Sequence, residues 1–292
     1  MNVAAPIFVG GLDHSGKATL RVALGAHPDI HMVRRIDLWT RLRGLHAAGA
    51  RGQREVVERL TTRGAAAHDL DRDRLQRVVA DPDFGALVRE IGRQLCERAG
   101  TSRWGLQEAL LELETERILA YLPDARVVCL VRDPRDRYAA MRRDGAVGRG
   151  GVAAETAAWV ASARAAAAAA TAWPKAFRVV RYEALVADPE TVLGEVCAFI
   201  GERAVSGLGA RGSEPPGAVE RAAPVTSNAD LAFIGGHAAA ELQALGYPTA
   251  PAAPPTATLS DRLVDAARWQ LGRMAWRWRS RHLRPARTPG SG

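Results

Sequence analysis

Pro6–Leu20, PIFVGGLDHSGKATL, is the stretch from which the fold can be worked out. Pro6–Gly10 is a short apolar run of strand length, and Thr19–Gly25 has the pattern of a helix. Between them Gly11 and Gly16 enclose four residues, with Lys17 next, which is the spacing of a P-loop. Glycines let the backbone turn so that successive N–H groups point inward, and the following helix adds its positive end. Ser15, Lys17 and Thr19 then supply a hydroxyl, a point charge and a second hydroxyl. The P-loop pattern puts Ser or Thr directly after the lysine, as a Mg²⁺ ligand; here that position is Ala18. The segment predicts a site for a phosphate-bearing nucleotide near the N-terminus, without the usual metal ligand. Its bland alternative is a glycine-rich turn with a stray lysine. Only Lys17 and Lys175 of the 40 basic residues are lysines, which gives weight to one inside the loop.

Outward from the loop, Ala125–Val131 (ARVVCLV) is a continuous apolar run with β-branched residues, as a fully buried parallel strand requires. It ends in Arg132, at the strand edge where open α/β sheets bind ligands. Ala176–Tyr182 (AFRVVRY) reads as another strand. Pro189–Ile200 reads as a helix opened by an Asp-Pro pair. From Ile36 to about Leu122 the pattern is mostly helical, with Leu106–Tyr121 following the helical period, and further strands are expected within 31–60. Residues 145–151 are a glycine-rich break, and Val152–Trp173 is an alanine-dominated helix with Trp159 and Trp173 as bulky contacts. Strands alternating with helices, with no hairpin turn, predict an α/β fold: a central parallel sheet flanked by helices, with a P-loop-like strand–loop–helix at its start.

The chain of 292 residues divides on this reading into an α/β domain over 1–247, with a helical region at 31–120. A proline-rich linker (248–258), a basic amphipathic helix (259–284) and a tail (285–292) follow. No basic segment precedes the apolar start, so a secretory signal is not expected. Cys96, Cys129 and Cys197 are too scattered for a disulfide framework or a metal site. A cytoplasmic protein is expected. The net charge of +8 is uneven: residues 256–292 carry eight arginines against two aspartates, leaving about +2 for the rest. The basicity belongs to one terminal segment, and no nucleic-acid partner is expected.

Taken together, the SG-loop between strand and helix, VRDPRD (131–136) and VRYEALVADPE (180–190) resemble the sulfotransferase family. The likeness runs over roughly residues 5–247, and the second and third segments are specific as a pair. It implies transfer of a sulfuryl group from 3′-phosphoadenylyl sulfate to a hydroxyl or amine, with no metal. Carried over by position, Ser15, Gly16, Lys17 and Thr19 would cradle the 5′-phosphosulfate, with Ala18 in the same loop and His14 in place of the loop's usual cation. Arg132 would hold the 3′-phosphate and Tyr182 would lie near the adenine. Ala140 stands where the family has a 3′-phosphate-binding serine. Arg103–Trp104–Gly105 matches the segment that supports the acceptor pocket, but Leu106, Gln107 and Glu108 replace the residues that commonly follow. The late 3′-phosphate segment, near 221–232, looks shortened and leaves Arg221 and Ser227. These departures each remove a donor or charge and imply a weakened enzyme. Lys17 is the first choice for charge stabilisation, with His14 beside it. Among His27, His31 and Asp37, Asp37 is the preferred base.

Two other readings stay open: a P-loop kinase of a small metabolite, and a non-catalytic relative that binds nucleotide or membrane. The acceptor is a small molecule, a glycan or a lipid. Within 259–283, Leu259, Leu263, Val264, Ala267, Leu271, Met274, Ala275 and Trp278 share one face bordered by arginines. Such a helix fits the surface of a membrane, placing the protein peripherally at the inner face, or packs on its own domain or on a second subunit in a homodimer.

Overall fold

Strands β1 (Ile7–Gly10), β2 (Ile30–Arg34), β3 (Arg103–Gln107), β4 (Arg126–Val131) and β5 (Phe177–Arg181) form one parallel sheet in the order β2-β3-β1-β4-β5. The computed structural model describes residues 3–34, 36, 38–39, 45, 49–62, 69–79, 83–209, 226–249 and 259–280. Asp37, Arg221 and most of the expected linker and tail lie outside the described residues.

The central strands β1 and β4 are apolar on both sides because both faces of the sheet are covered there. Phe8 of β1 and Val127, Cys129 and Val131 of β4 enter one core with Trp39, Trp104 and Trp159. Their alternate neighbours Ile7, Val9, Val128 and Leu130 enter the other with Leu20, Leu24 and Leu193. That double burial explains the unbroken hydrophobic run at 125–131.

The flanking helices are α1 (Lys17–Gly25), α2 (Gly49–Thr62), α3 (Arg72–Val78), α4 (Phe84–Ala99), α5 (Thr115–Tyr121), α6 (Pro134–Arg143), α7 (Gly151–Ala172), α8 (Tyr182–Ala187), α9 (Pro189–Ile200), α10 (Asn228–His237), α11 (Ala239–Ala244) and α12 (Leu259–Arg279). The Asp188–Pro189 pair starts a helix as expected, and Asp133–Pro134 starts another. Asp133 accepts from the Arg135 N–H at 2.9 Å, and Asp188 from that of Thr191 at 3.2 Å.

Three expectations are corrected. Leu106–Tyr121 is not one helix: β3 occupies its start, a 3₁₀ turn follows at Leu111–Leu113, and α5 takes the rest. Gly105 lets β3 slot between its neighbours, since a Cβ there would meet Met32 Sδ at 2.6 Å and the Ile7 carbonyl at 2.7 Å. Tyr182 begins α8 rather than ending β5. The terminal helix packs on its own domain, against α7, but with the face opposite the apolar one: Leu263, Val264, Leu271, Met274 and Trp278 are exposed.

Because β1 is central, with β3 on one side and β4 on the other, the loops after β1 and β4 meet at the carboxyl edge of the sheet. That crevice is where a doubly wound sheet binds its ligand.

Candidate active site

The loop after β1 closes on itself through the Ser15 N–H, which donates to the Leu12 carbonyl at 3.3 Å, and the Thr19 N–H, which donates to that of Gly16 at 3.0 Å. Two glycines are obligatory in it. Gly11 has φ +113°, and a Cβ would fall 2.2 Å from the Leu130 carbonyl; Gly16 has φ +89°, and its Cβ would strike the Tyr182 ring at 2.1 Å. The glycines therefore set both the turn and the approach of Tyr182, from the start of α8 far along the chain. Gly16→Ala is expected to cost about 2 kcal/mol in urea unfolding. In a Tyr182→Ala background the cost should fall by about half; equal costs in the two backgrounds would show that the ring contact contributes nothing.

Inside the loop the Ser15 hydroxyl is buried and has no protein partner. Lys17 is 4% exposed, and its ammonium donates to the Gly11 carbonyl at 2.7 Å and to Asp13 at 3.1 Å. Burial pulls its pKa down, and Asp13 only partly opposes this. Ala18 is exposed and Thr19 half-buried. His14, at φ +63°, turns its Nε2 to Asp144 at 3.0 Å, at the end of α6. Across the crevice Arg132 lies over the Tyr182 ring, 4.6 Å from its centroid, and donates to the His14 carbonyl at 3.4 Å. Its buried Nε is unpartnered. Loop, Arg132 and Tyr182 are thus brought together. Ala140 presents only a buried methyl on α6, and Ser227 caps α10 by accepting from the Asp230 N–H.

Of the acceptor-side candidates, His27 is taken up structurally, bonded to the Arg203 carbonyl and the Asp29 N–H. Next to Asp37, Leu38 and Trp39 are buried, and the Trp39 N–H donates to Glu108 at 3.1 Å, just beyond β3. The segment after β2 is thereby tied to the same sheet edge as the loop. His31 is half-buried within β2, and burial lowers its pKa.

A set of braces behind the loop went unseen in the sequence. Glu112, fully inside the protein, accepts from the Gly11 N–H at 3.0 Å and from the Ser162 hydroxyl. Arg137 donates to the Asp13 carbonyl at 2.8 Å and to the buried Glu155 at 3.0 Å. The Trp159 indole N–H donates to the Arg132 carbonyl at 2.9 Å. Glu155, Trp159 and Ser162 all belong to α7, one face of which braces the end of β4 directly and the loop through Arg137 and Glu112. Their spacing of i, i+4 and i+7 in an otherwise alanine-rich helix was the available signal.

The arrangement argues against a metal-dependent kinase. Asp133, the acid after β4, is held by the backbone and guanidinium of Arg135, and both Glu112 oxygens are bonded within the protein. His27, Asp29 and Glu202 form the one cluster among the described residues with metal-like spacing, but Arg203 faces Asp29 at 3.7 Å and Arg103 faces Glu202 at 2.6 Å.

The chain is similar to several solved structures. A sulfotransferase domain from the curacin biosynthetic pathway superposes with a TM-score of 0.52 at 16% identity, covering 86% of this chain and all of that one (100%). A sulfotransferase domain of the Synechococcus PCC 7002 olefin synthase gives 0.48 at 19% identity, over 94% of this chain and 96% of that one. A Mycobacterium tuberculosis H37Rv sulfotransferase gives 0.45 at 19%, over 73% and 71%. No curated protein matches the sequence. The pattern that defines the sulfotransferase family matches residues 6–205, from the first strand past the last helix of the crevice, and the chain belongs to that family.

Proposed function

We propose that this sulfotransferase takes its sulfuryl group from 3′-phosphoadenylyl sulfate and passes it to a hydroxyl or amine of a small molecule, glycan or lipid. The observation that carries the donor assignment is the unpartnered Ser15 hydroxyl, set between two positive-φ glycines and beside a buried lysine. Buried polar groups find partners, and an anion seated in the loop supplies one. The donor brings an activated sulfuryl group on a phosphate leaving group. The protein's part is positioning and charge. Ser15, Thr19 and the loop amides hold the 5′ end, and Lys17 supplies the positive charge that offsets what develops on the leaving oxygen. Arg132 binds the 3′-phosphate, and Tyr182, fixed against Gly16, supports the base. Asp37 accepts the acceptor's proton. His14 contributes through its bond to Asp144, which keeps the loop against α6.

Two departures from the family, Ala18 and Ala140, lack hydroxyls that would otherwise bond phosphate. Each lost charge-assisted bond costs on the order of 1.5–3 kcal/mol, so donor affinity should be weak for the family. No helix among the described residues is long and apolar enough to cross a membrane.

Thermal unfolding with nucleotides tests the donor site. Adenosine 3′,5′-bisphosphate should raise the melting temperature and ATP with Mg²⁺ should do less. Equal or greater stabilisation by ATP–Mg²⁺ would favour the kinase reading, and no response to either a non-catalytic relative. Transfer of radiolabelled sulfate into an extract of host metabolites would then identify the acceptor class.

A further inference from the structure

The terminal helix α12 is anchored by one face and bare on the other. On the anchored side Gly272 lies so close to α7 that a Cβ would meet the backbone of Ala153 at 2.5 Å, and Ala275 packs against Gly150. Trp269 stacks on His237 at 4.5 Å, His237 bonds Asp265 at 2.7 Å, and Arg268 bonds Asp230 at 2.9 Å. These contacts fix the rotation of the helix about its axis. At about 100° per residue, Leu263, Val264, Leu271, Met274 and Trp278 fall in one arc of roughly a quarter turn, opposite Gly272 and Trp276. They are 63–67% exposed. Among the described residues only Val22, at 39%, is another large apolar side chain so exposed, so the stripe is a concentrated feature and not scattered surface apolarity.

Its margins are cationic. The exposed Arg277 borders one side, and on the other stands Arg268, whose guanidinium also bonds Asp230. Beyond Arg277 opens a cleft of ≈ 540 Å³, lined by Arg164, Arg273, Arg277, Trp269 and Trp276. The segment 256–292 as a whole carries +6.

We propose that α12 docks the protein on an anionic lipid bilayer. The stripe enters the boundary between headgroups and acyl chains, and the flanking arginines meet lipid phosphates. Charge decides the occupant. A second copy would meet this face with itself and set arginine margins against arginine margins. A bilayer rich in anionic headgroups is apolar where the stripe is apolar and negative where its edges are positive. The proposal is independent of the sulfuryl donor, and its readout is binding alone.

The test is flotation of the full chain with vesicles of phosphatidylcholine alone and of phosphatidylcholine with phosphatidylglycerol in equal parts. Binding is expected only to the mixed vesicles, and it should weaken in high salt. Leu271→Glu with Met274→Glu should reduce it at least tenfold without lowering the melting temperature, because both side chains are exposed. Arg277→Gln should reduce it about fivefold, the worth of one basic residue near such a surface. No binding to the mixed vesicles overturns the proposal. So does equal binding by the double variant. A dimer in sedimentation that the double variant dissociates, without vesicle binding, overturns it in favour of a self-interface.

Discussion

Lys17→Met is expected to abolish most sulfuryl transfer, by on the order of 10²–10³ in kcat, while the variant should melt no lower than the parent. The two effects separate because the ammonium is stabilising for an anion and costly for the fold. Lys17 is 4% exposed; it is held by a carbonyl and by the largely solvent-facing Asp13, and burial lowers its pKa below the 10.5 of an ordinary lysine. Methionine fills similar volume without a buried charge. The Gly11 carbonyl that it abandons still accepts from the Leu110 N–H. The same shift has two pH signatures. For kcat/KM, which reports the free enzyme, the alkaline limb should appear below the pH at which an ordinary lysine titrates, and the residual activity of Lys17→Met should lack it. For stability, between the lowered folded-state pKa and the unfolded value the unfolded chain binds more protons, so the parent's stability rises with pH across that window. Urea unfolding of the two proteins on the alkaline side would show the slope in the parent and its absence in the variant. Full activity in Lys17→Met would remove the lysine from the mechanism.

What was legible in the sequence and what was not follows from where the chemistry sits. The loop, β4 and β5 could be read because glycine spacing and unbroken apolar runs are local signals, fixed by backbone turns and by double burial of the sheet. The strand at Arg103–Gln107 could not. It is five residues long, begins with an arginine paired to Glu202 and ends on a glutamine bonded to Arg21, and its apolar neighbours continue into α5 with helical period. Its identity is set by β1 and β2 on either side, which is tertiary information. Arg132 and Tyr182 came from matched motifs, and the sheet order brings both onto Gly16 and His14. The sequence could not show that the His14 ring reaches Asp144, a partner 130 residues away. In the terminal helix, packing on its own domain was one reading of the apolar face, and a different face makes that contact. Small residues, Gly272 and Ala275, make the packing face, and periodicity of large apolar residues marks only the face left bare.

Glu112 is the clearest case of a residue hidden from sequence, and it carries the second large prediction. In LELE (111–114) a glutamate on a presumed helix looks solvated. In the fold it lies beneath the loop, accepting from the Gly11 N–H, the Ser162 hydroxyl and, more weakly, the Cys129 thiol at 3.8 Å. Glu112→Ala strips an acceptor from two buried donors at once and opens a void under a glycine held at φ +113°. At about 1–3 kcal/mol for each orphaned donor, the loss should be about 2–5 kcal/mol, enough to destabilise the whole loop and its activity. Glu112→Gln keeps an oxygen for Gly11 and offers Ser162 an amide, so it should stay within about 1 kcal/mol of the parent. The pair of variants isolates the carboxyl's hydrogen bonds from its charge. Burial raises the Glu112 pKa above the 4.5 of an ordinary glutamate. From the unfolded pKa up to the raised folded one the native state binds the extra proton, so this carboxyl makes stability fall as pH rises through that window. Glu112→Gln should lack that component. Because the Glu112 charge also helps to keep Lys17 protonated, the same variant should move the alkaline limb of kcat/KM to lower pH. If Glu112→Gln proved as damaging as Glu112→Ala, the ionised carboxylate would be required at Gly11. If both were neutral, the brace from α7 to the loop would carry no weight.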